Sequence, residues 1–282
     1  MNWDKTIHAL DSGAVMAECG PMRLVISSFV GKVPQREMNV RAAREAFGFL
    51  ARVSAVKNRL QHPLKFVPDD LTEPIAREMV RSICMIGDSQ LTPMAAVAGS
   101  LAAATADFLF DRGMTRVIVN NGGDVAIRLE ADQEVRVGVR DDVIRDSWSR
   151  VITLDGSRNS WGVATSGLGG RSFTLGIASA ATVIASTASV ADAAATAVAN
   201  ASFIEDPNVI RRSAEELDPD TDIPGLPVTV RVGEVKESTR RIAVKRALAF
   251  AEELIARNVV LGAFVAVKGI TGAIGCFDEM LV

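Results

Sequence analysis

Over the first 30 residues the apolar positions fall in two short runs, Ala14 to Glu18 and Leu24 to Val30, separated by Cys19-Gly20-Pro21. That pattern predicts two strands joined by a turn. The period then changes. Ala43, Ala46, Phe47, Leu50 and Val53 recur at helical spacing with arginines on the other face, so a helix is predicted over Asn39 to Leu60. Thr72 to Ile86 reads as a second helix, with Thr72 as N-cap and Pro74 in the first turn. A third opens at Thr92-Pro93 and runs to about Arg112, where Gly113 stops it.

The middle of the chain carries strand signals at Arg116 to Asn120, Asp124 to Leu129, Glu134 to Val139, Val151 to Leu154, Trp161 to Thr165 and Ala181 to Ser186. An alanine-rich helix is predicted over Ser189 to Ser202, then a short helical stretch over Asp206 to Glu216. Asp218 to Gly225 is the one candidate linker, but a strand signal at Val228 to Val232 follows too soon for it to separate domains. Thr239 to Arg257 reads as an amphipathic helix with Ile242, Leu248, Ala251 and Ile255 near one side. Val259 to Val267 and Ala273 to Phe277 close the chain as strands. Helices and strands mix without strict alternation, which favours an α+β fold, expected as a single domain over residues 1–282.

Composition narrows the classes of partner. The 282 residues carry a formal net charge of −3 with no basic stripe, so no nucleic-acid partner is expected. Tyr is absent, which excludes tyrosine general acids and stacking platforms. Cys19, Cys84 and Cys276 are an odd number without C-x-x-C spacing, as small buried thiols in a reducing compartment would be. Met1 to Lys5 lacks the start of a signal peptide. No run supplies the ~20 uninterrupted apolar residues of a membrane span. A cytoplasmic protein is expected.

Several apparent motifs fail on chemistry. Asp218, Asp220 and Asp222 imitate a calcium loop, but Ile223 and Thr229 stand where that loop needs glycine and glutamate. Lys236, Arg240, Arg241, Lys245 and Arg246 read as a solvated helix face. His8 and His62 lie far apart, and nothing nominates either as a catalytic base.

Three segments carry the candidate chemistry. Asn121-Gly122-Gly123-Asp124 sits between two strand signals. It reads either as a tight hairpin needing positive φ or as a place where a flat ligand touches bare backbone beside an acid. Thr165-Ser166-Gly167 through Arg171 follows a strand without a helix behind it, so it is neither a P-loop nor a dinucleotide fingerprint. It is a solvent loop, or a cradle in which N–H groups and Arg171 hold a pyrophosphate. Asp192 and Thr196 are four apart on the alanine-rich helix and share a face. A carboxylate and a hydroxyl there suit Mg²⁺, or Asp192 is a favourable acid in a first helical turn.

In this order, Asn121-Gly122-Gly123-Asp124, Ala164-Thr165-Ser166-Gly167 and Ala191-Asp192-Ala193-Ala194-Ala195-Thr196 resemble the motifs of the ApbE-like (FAD:protein FMN transferase) superfamily. Upstream, Ala96 to Ala102 stands where that family has a helix with a lysine and a glycine. The resemblance covers about residues 90–200. It implies a T-fold-like arrangement of mixed sheets with packed helices and FAD along Asn121, Gly122, Gly123, Asp124, Thr165, Ser166, Gly167 and Arg171. It also implies Mg²⁺ held by Asp192, Thr196 and a carbonyl near Ala98. FMN would pass to an acceptor flavoprotein.

The chain also departs from the family. Gly99 replaces the lysine, and Phe173 to Ala180 replaces a histidine-isoleucine-aspartate-proline stretch. The pattern is closest to an uncharacterised cytoplasmic branch. Two other readings therefore stand beside transfer: an enzyme acting on a different small anionic metabolite, or a flavin- or nucleotide-binding protein without turnover. The many small residues are compatible with a homodimer.

Overall fold

The computed structural model describes residues 3–67, 70–144 and 147–279; Met1 and Asn2 of the N-terminal stretch discussed above lie outside them. The chain opens with strands β1 (Lys5–Ala9), β2 (Val15–Cys19), β3 (Met22–Val30) and β4 (Val33–Pro34). Helices α1 (Arg36–Ala55), α2 (Lys57–Leu60), α3 (Pro74–Ile86) and α4 (Val97–Phe110) follow. Strands β5 (Arg116–Asn121), β6 (Asp124–Leu129), β7 (Glu134–Val139), β8 (Arg150–Asp155), β9 (Ser160–Ser166) and β10 (Ala180–Ala185) fill the middle. Helix α5 (Ala188–Ala201), β11 (Val209–Ser213), α6 (Ala214–Leu217), β12 (Pro227–Val232), α7 (Glu237–Ala256), β13 (Gly262–Val267), β14 (Ile270–Gly275) and α8 (Cys276–Glu279) complete it.

Among the described residues one ten-stranded sheet runs in the order β1-β2-β3-β5-β6-β9-β10-β13-β14, with β4 on β3. All its pairings are antiparallel. The expected α+β class is the observed one. Alternation decides which side each residue serves. Ala126, Ala164, Ala181 and Val183 face the helix layer and join one core with residues of α1, α3, α4, α5 and α7. Ile127, Trp161, Val163, Ile184 and Phe264 face the other way, under the β7–β8 hairpin and Phe277. Arg128, on the helix side of β6, is buried and ion-paired with Asp107 of α4 at 2.7 Å, which ties the layer to the sheet.

Five sequence expectations need correction. The first helix breaks at Val56 rather than running to Leu60. Glu73, not Thr72, caps α3, its carboxylate accepting from the Ala76 N–H at 2.6 Å. The stretch from Asp206 to Glu216 is not one helix: Val209–Ser213 is β11, paired with β12, and only the turn α6 is helical. Cross-strand pairing outweighs a weak local helix preference. Asp218 to Gly225 is no linker, because Asp222 accepts from the Thr92 hydroxyl and the Asp220 carbonyl from Gln61 Nε2. On α7 the buried side is Ala243, Val244, Ala247, Ala251 and Leu254, whereas Ile242 is 50% exposed. The cations Lys236, Arg241, Lys245 and Arg246 are exposed there.

Candidate functional site

Helix α5 begins where Thr187 caps it, its hydroxyl accepting from the Val190 N–H at 3.3 Å. Its alanines and two glycines on its neighbours set how deep it lies. A Cβ on Gly162 of β9 would fall on the backbone of Thr187 and Ala188. One on Gly99 of α4 would strike the Ala188 carbonyl and stand 2.8 Å from Asp192 Cβ. The position where the resembling family carries lysine therefore has no room for any side chain.

This close crossing puts Asp192 over the first turn of α4. Its Oδ2 accepts from the Gly99 N–H at 2.8 Å, and the Ala98 N–H also bonds to it. Ala96, the N-cap of α4, supplies no side-chain cap, so Asp192 satisfies those orphan N–H groups from the neighbouring helix. Asn121, at the end of β5, donates from Nδ2 to the Ala98 carbonyl at 3.1 Å and accepts at Oδ1 from the Arg23 N–H. Asp192, Asn121 and Ala98 thus meet at one point.

Asn121 and Asp124 are paired across β5 and β6, so Gly122 and Gly123 form the two-residue turn, with φ of 69° and 118°. Both values lie where only glycine is comfortable. The Asn120 Oδ1 accepts from the Gly123 N–H at 2.8 Å and closes the turn. Arg171 reaches across it. Its Nη1 occupies the space that a side chain on Gly122 would take, and Nη2 donates to the Pro21 carbonyl.

Electrostatics make the crevice unusual. Burial pushes the Asp124 carboxyl up to about 7, against an opposing pull from Arg171. Asp192 is half-buried by surface area, yet protein crowds its carboxylate from most sides. Desolvation, then repulsion from Asp124, raise its pKa well above the ordinary range, and the Gly99 and Ala98 N–H groups pull it back. Two acids that hinder each other's ionisation are a site where a cation is favoured. Thr196 lies one turn beyond Asp192 and is half-buried, and among the described residues its hydroxyl has no hydrogen-bond partner.

The other named residues divide. Ser166 ends β9 on the helix side, in register with Ala181. Thr165 points to the opposite face, where its hydroxyl bonds that of Thr182 at 2.8 Å, so its side chain does not join Asp192. Gly167 begins the loop to Arg171, held by the Leu168 N–H to the Ala178 carbonyl at 2.8 Å. Phe173 to Ser179 has no regular structure, and Ala180 already belongs to β10. Three N–H groups of the irregular stretch are taken by side chains of α5 and its C-cap: Leu175 by Asn200 Oδ1 at 2.8 Å, Ile177 and Ala178 by Ser202 Oγ, both at 2.9 Å. The roles of Thr187 and of the Pro21 carbonyl were missed in the sequence. A Ser-Thr pair before an alanine-rich run was a legible N-cap signal for the first; nothing local marked the second.

A helix layer on an antiparallel sheet, with a glycine turn and an aspartate helix converging at one crevice, defines an ApbE-type fold. The chain belongs to the family described as AbpE bacteria, whose model matches residues 7–275. UPF0280 protein MJ1526 of Methanocaldococcus jannaschii is 30% identical over 218 residues, 72% of this chain and 88% of that protein. A UPF0280 protein of Methanoregula boonei is 38% identical over 45% of this chain, and the match spans about half, 52%, of that relative. Among solved structures, the apo flavinyl transferase ApbE of Pseudomonas stutzeri superposes with a TM-score of 0.51 at 15% identity, covering 100% of this chain and 98% of that one. The ApbE protein of Thermotoga maritima gives 0.53 at 12% identity, covering 99% of each. These two likenesses concern the fold.

Proposed function

We propose that this chain is a Mg²⁺-dependent flavin transferase that takes FAD as substrate and passes FMN to an acceptor flavoprotein in the cytoplasm. The observation that carries the reading is the pair Asp124 and Asp192, two carboxylates whose charge burial and mutual repulsion hold back. The donor set fits Mg²⁺. No group of three or more His, Cys, Asp or Glu side chains gathers among the described residues. Asp192, the free Thr196 hydroxyl and the Ala98 carbonyl are hard oxygen donors, leaving further positions to water and ligand phosphate, as Mg²⁺ prefers.

In this reading Asp192, Thr196 and Ala98 hold the metal, and Asn121 fixes the Ala98 carbonyl. Arg171 and Ser166 orient the phosphate groups. Gly122 and Gly123 let a flat ring approach the backbone, and Asp124 completes the anionic wall. Bound Mg²⁺ would neutralise charge on the phosphoryl group being transferred. Thr165 acts through the position of its strand end, not through its hydroxyl.

The test is FAD binding to the purified protein, read by flavin fluorescence with Mg²⁺ and with a chelator. Metal-dependent binding that is lost in Asp192→Ala supports the assignment and makes acceptor labelling the next assay. Absence of binding in the wild-type protein with Mg²⁺ would sink it. A second reading, an enzyme acting on another small anionic metabolite, is favoured by one observation. Phe173 to Ala180 is largely buried and tied to α5, so it brings few polar side chains to the crevice.

A further inference from the structure

A cavity of about 720 Å³ opens at the C-terminal end of α5, within the usual size of a small-molecule site. Asn200, on its wall, lies eight residues beyond Asp192, about 12 Å along the helix. Leu175, Phe203 and Phe250 give the cavity apolar walls, and Arg211 brings a cation. The register of β11 against β12 shifts between Ile210 and Arg211; such bulges re-aim side chains and concentrate near sites.

Among the described residues Arg211 lacks a counter-charge. Its guanidinium lies 4.2 Å from the centre of the Phe203 ring, and Nη2 donates to the Pro227 carbonyl. Its Nε is buried without an acceptor, and no carboxylate pairs with it among the described residues. Asp88 also lines the cavity, but its Oδ1 accepts from the Gln90 N–H at 2.9 Å and it forms no ion pair with Arg211. Asn200 uses Oδ1 on the Leu175 N–H, which leaves its NH₂ as the free donor end. An unpaired guanidinium among apolar walls is costly until an anion joins it.

We propose that this cavity is a second binding site, for a small organic anion with a flat apolar body against Leu175, Phe203 and Phe250 and an acidic head on Arg211 and the Asn200 amide. The inference is independent of the Mg²⁺ and flavin reading.

The probes are benzoate and phenyl phosphate, with benzyl alcohol and inorganic phosphate as controls, titrated calorimetrically into the full chain. The aromatic anions should bind at least tenfold more tightly than benzyl alcohol. Whichever of benzoate or phenyl phosphate binds better identifies the head group. Arg211→Met keeps the apolar stem and should lose at least tenfold in affinity. Asn200→Asp keeps the acceptor for Leu175, turns the free end into a repelling oxygen, and should lose a similar amount. Asp192→Ala should bind as wild type does. Equal affinity in a folded Arg211→Met, loss in Asp192→Ala, or no binding of either aromatic anion by the wild type at millimolar concentration would each overturn the proposal.

Discussion

At its N-terminal end α5 meets α4 and the β5–β6 turn through carboxylates whose charge is held back by burial. At its C-terminal end it shares a cavity with Arg211 of β11, a guanidinium without a carboxylate partner among the described residues. Between them Asp192, Thr196 and Asn200 recur every four residues as half-buried polar positions on an otherwise alanine- and valine-rich helix. The helix is a spacer of small residues. Each polar residue takes its character from the loop it meets, so neighbouring positions on one helix can serve opposite charges.

The largest effect should come from filling the glycines that pin the two ends. A Cβ on Gly99 would strike the Ala188 carbonyl, and one on Gly176 would strike that of Ala199. Gly99→Ala and Gly176→Ala should each cost about 3 kcal/mol or more, measured by urea unfolding. Gly225 has open space around it, although its φ of 78° strains any side chain. Gly225→Ala should therefore cost only about 1 kcal/mol. If all three cost the same, the pinning argument fails.

Next, Asp192→Asn should weaken Mg²⁺ binding on the order of 100-fold, read by calorimetry, while Arg211→Met leaves it unchanged. A similar loss in both would erase the distinction between the ends.

A pH dependence is the third prediction. Asp124 and Asp192 have folded-state pKa values above the ordinary 3.8. Raised carboxyl pKa values mean that the folded state binds protons more tightly than the unfolded one. Their contribution to stability is fully present below the unfolded pKa and is lost as pH rises through the folded values, about 7 for Asp124. The metal-free protein should lose a few degrees of Tm between about pH 4 and pH 8. Asp124→Asn should flatten that slope, and Mg²⁺ should restore Tm at pH 8. A profile identical in Asp124→Asn would remove Asp124 from the account. The smallest change is expected away from both ends: Lys245→Ala, on the exposed face of α7, should shift stability by less than about 0.5 kcal/mol.

Much of the scaffold was legible because alternation and helical spacing are local. The bounds of β6 and β7, and those of α5 to within a residue, follow from their own sequences. Helix β-pairing conflicts were not legible. Val209 to Ser213 is a strand because β12 lies beside it, and that error hid Arg211, since a bulge has no meaning in a helix. At the site, the motif residues stood out by type. Their assembly did not, because the Asp192 to Gly99 bond joins residues 93 apart in sequence. The side on which Thr165 falls depended on the pairing of β9 with β10, which no local pattern records.

The order of strands in the large sheet also sets a schedule. β3 lies beside β5, so Leu24 pairs with Asn121 only after four helices between them have been looped out. β10 waits likewise for β13. Such distant pairings are slow to form, since the entropy of closing long loops is lost before the contacts compensate. Asp192, Asn121 and Ala98 can meet only when this closure is complete. Substitutions among them should therefore accelerate unfolding and leave the folding rate nearly untouched, so that damage to the crevice shortens the lifetime of the native protein rather than hindering its birth.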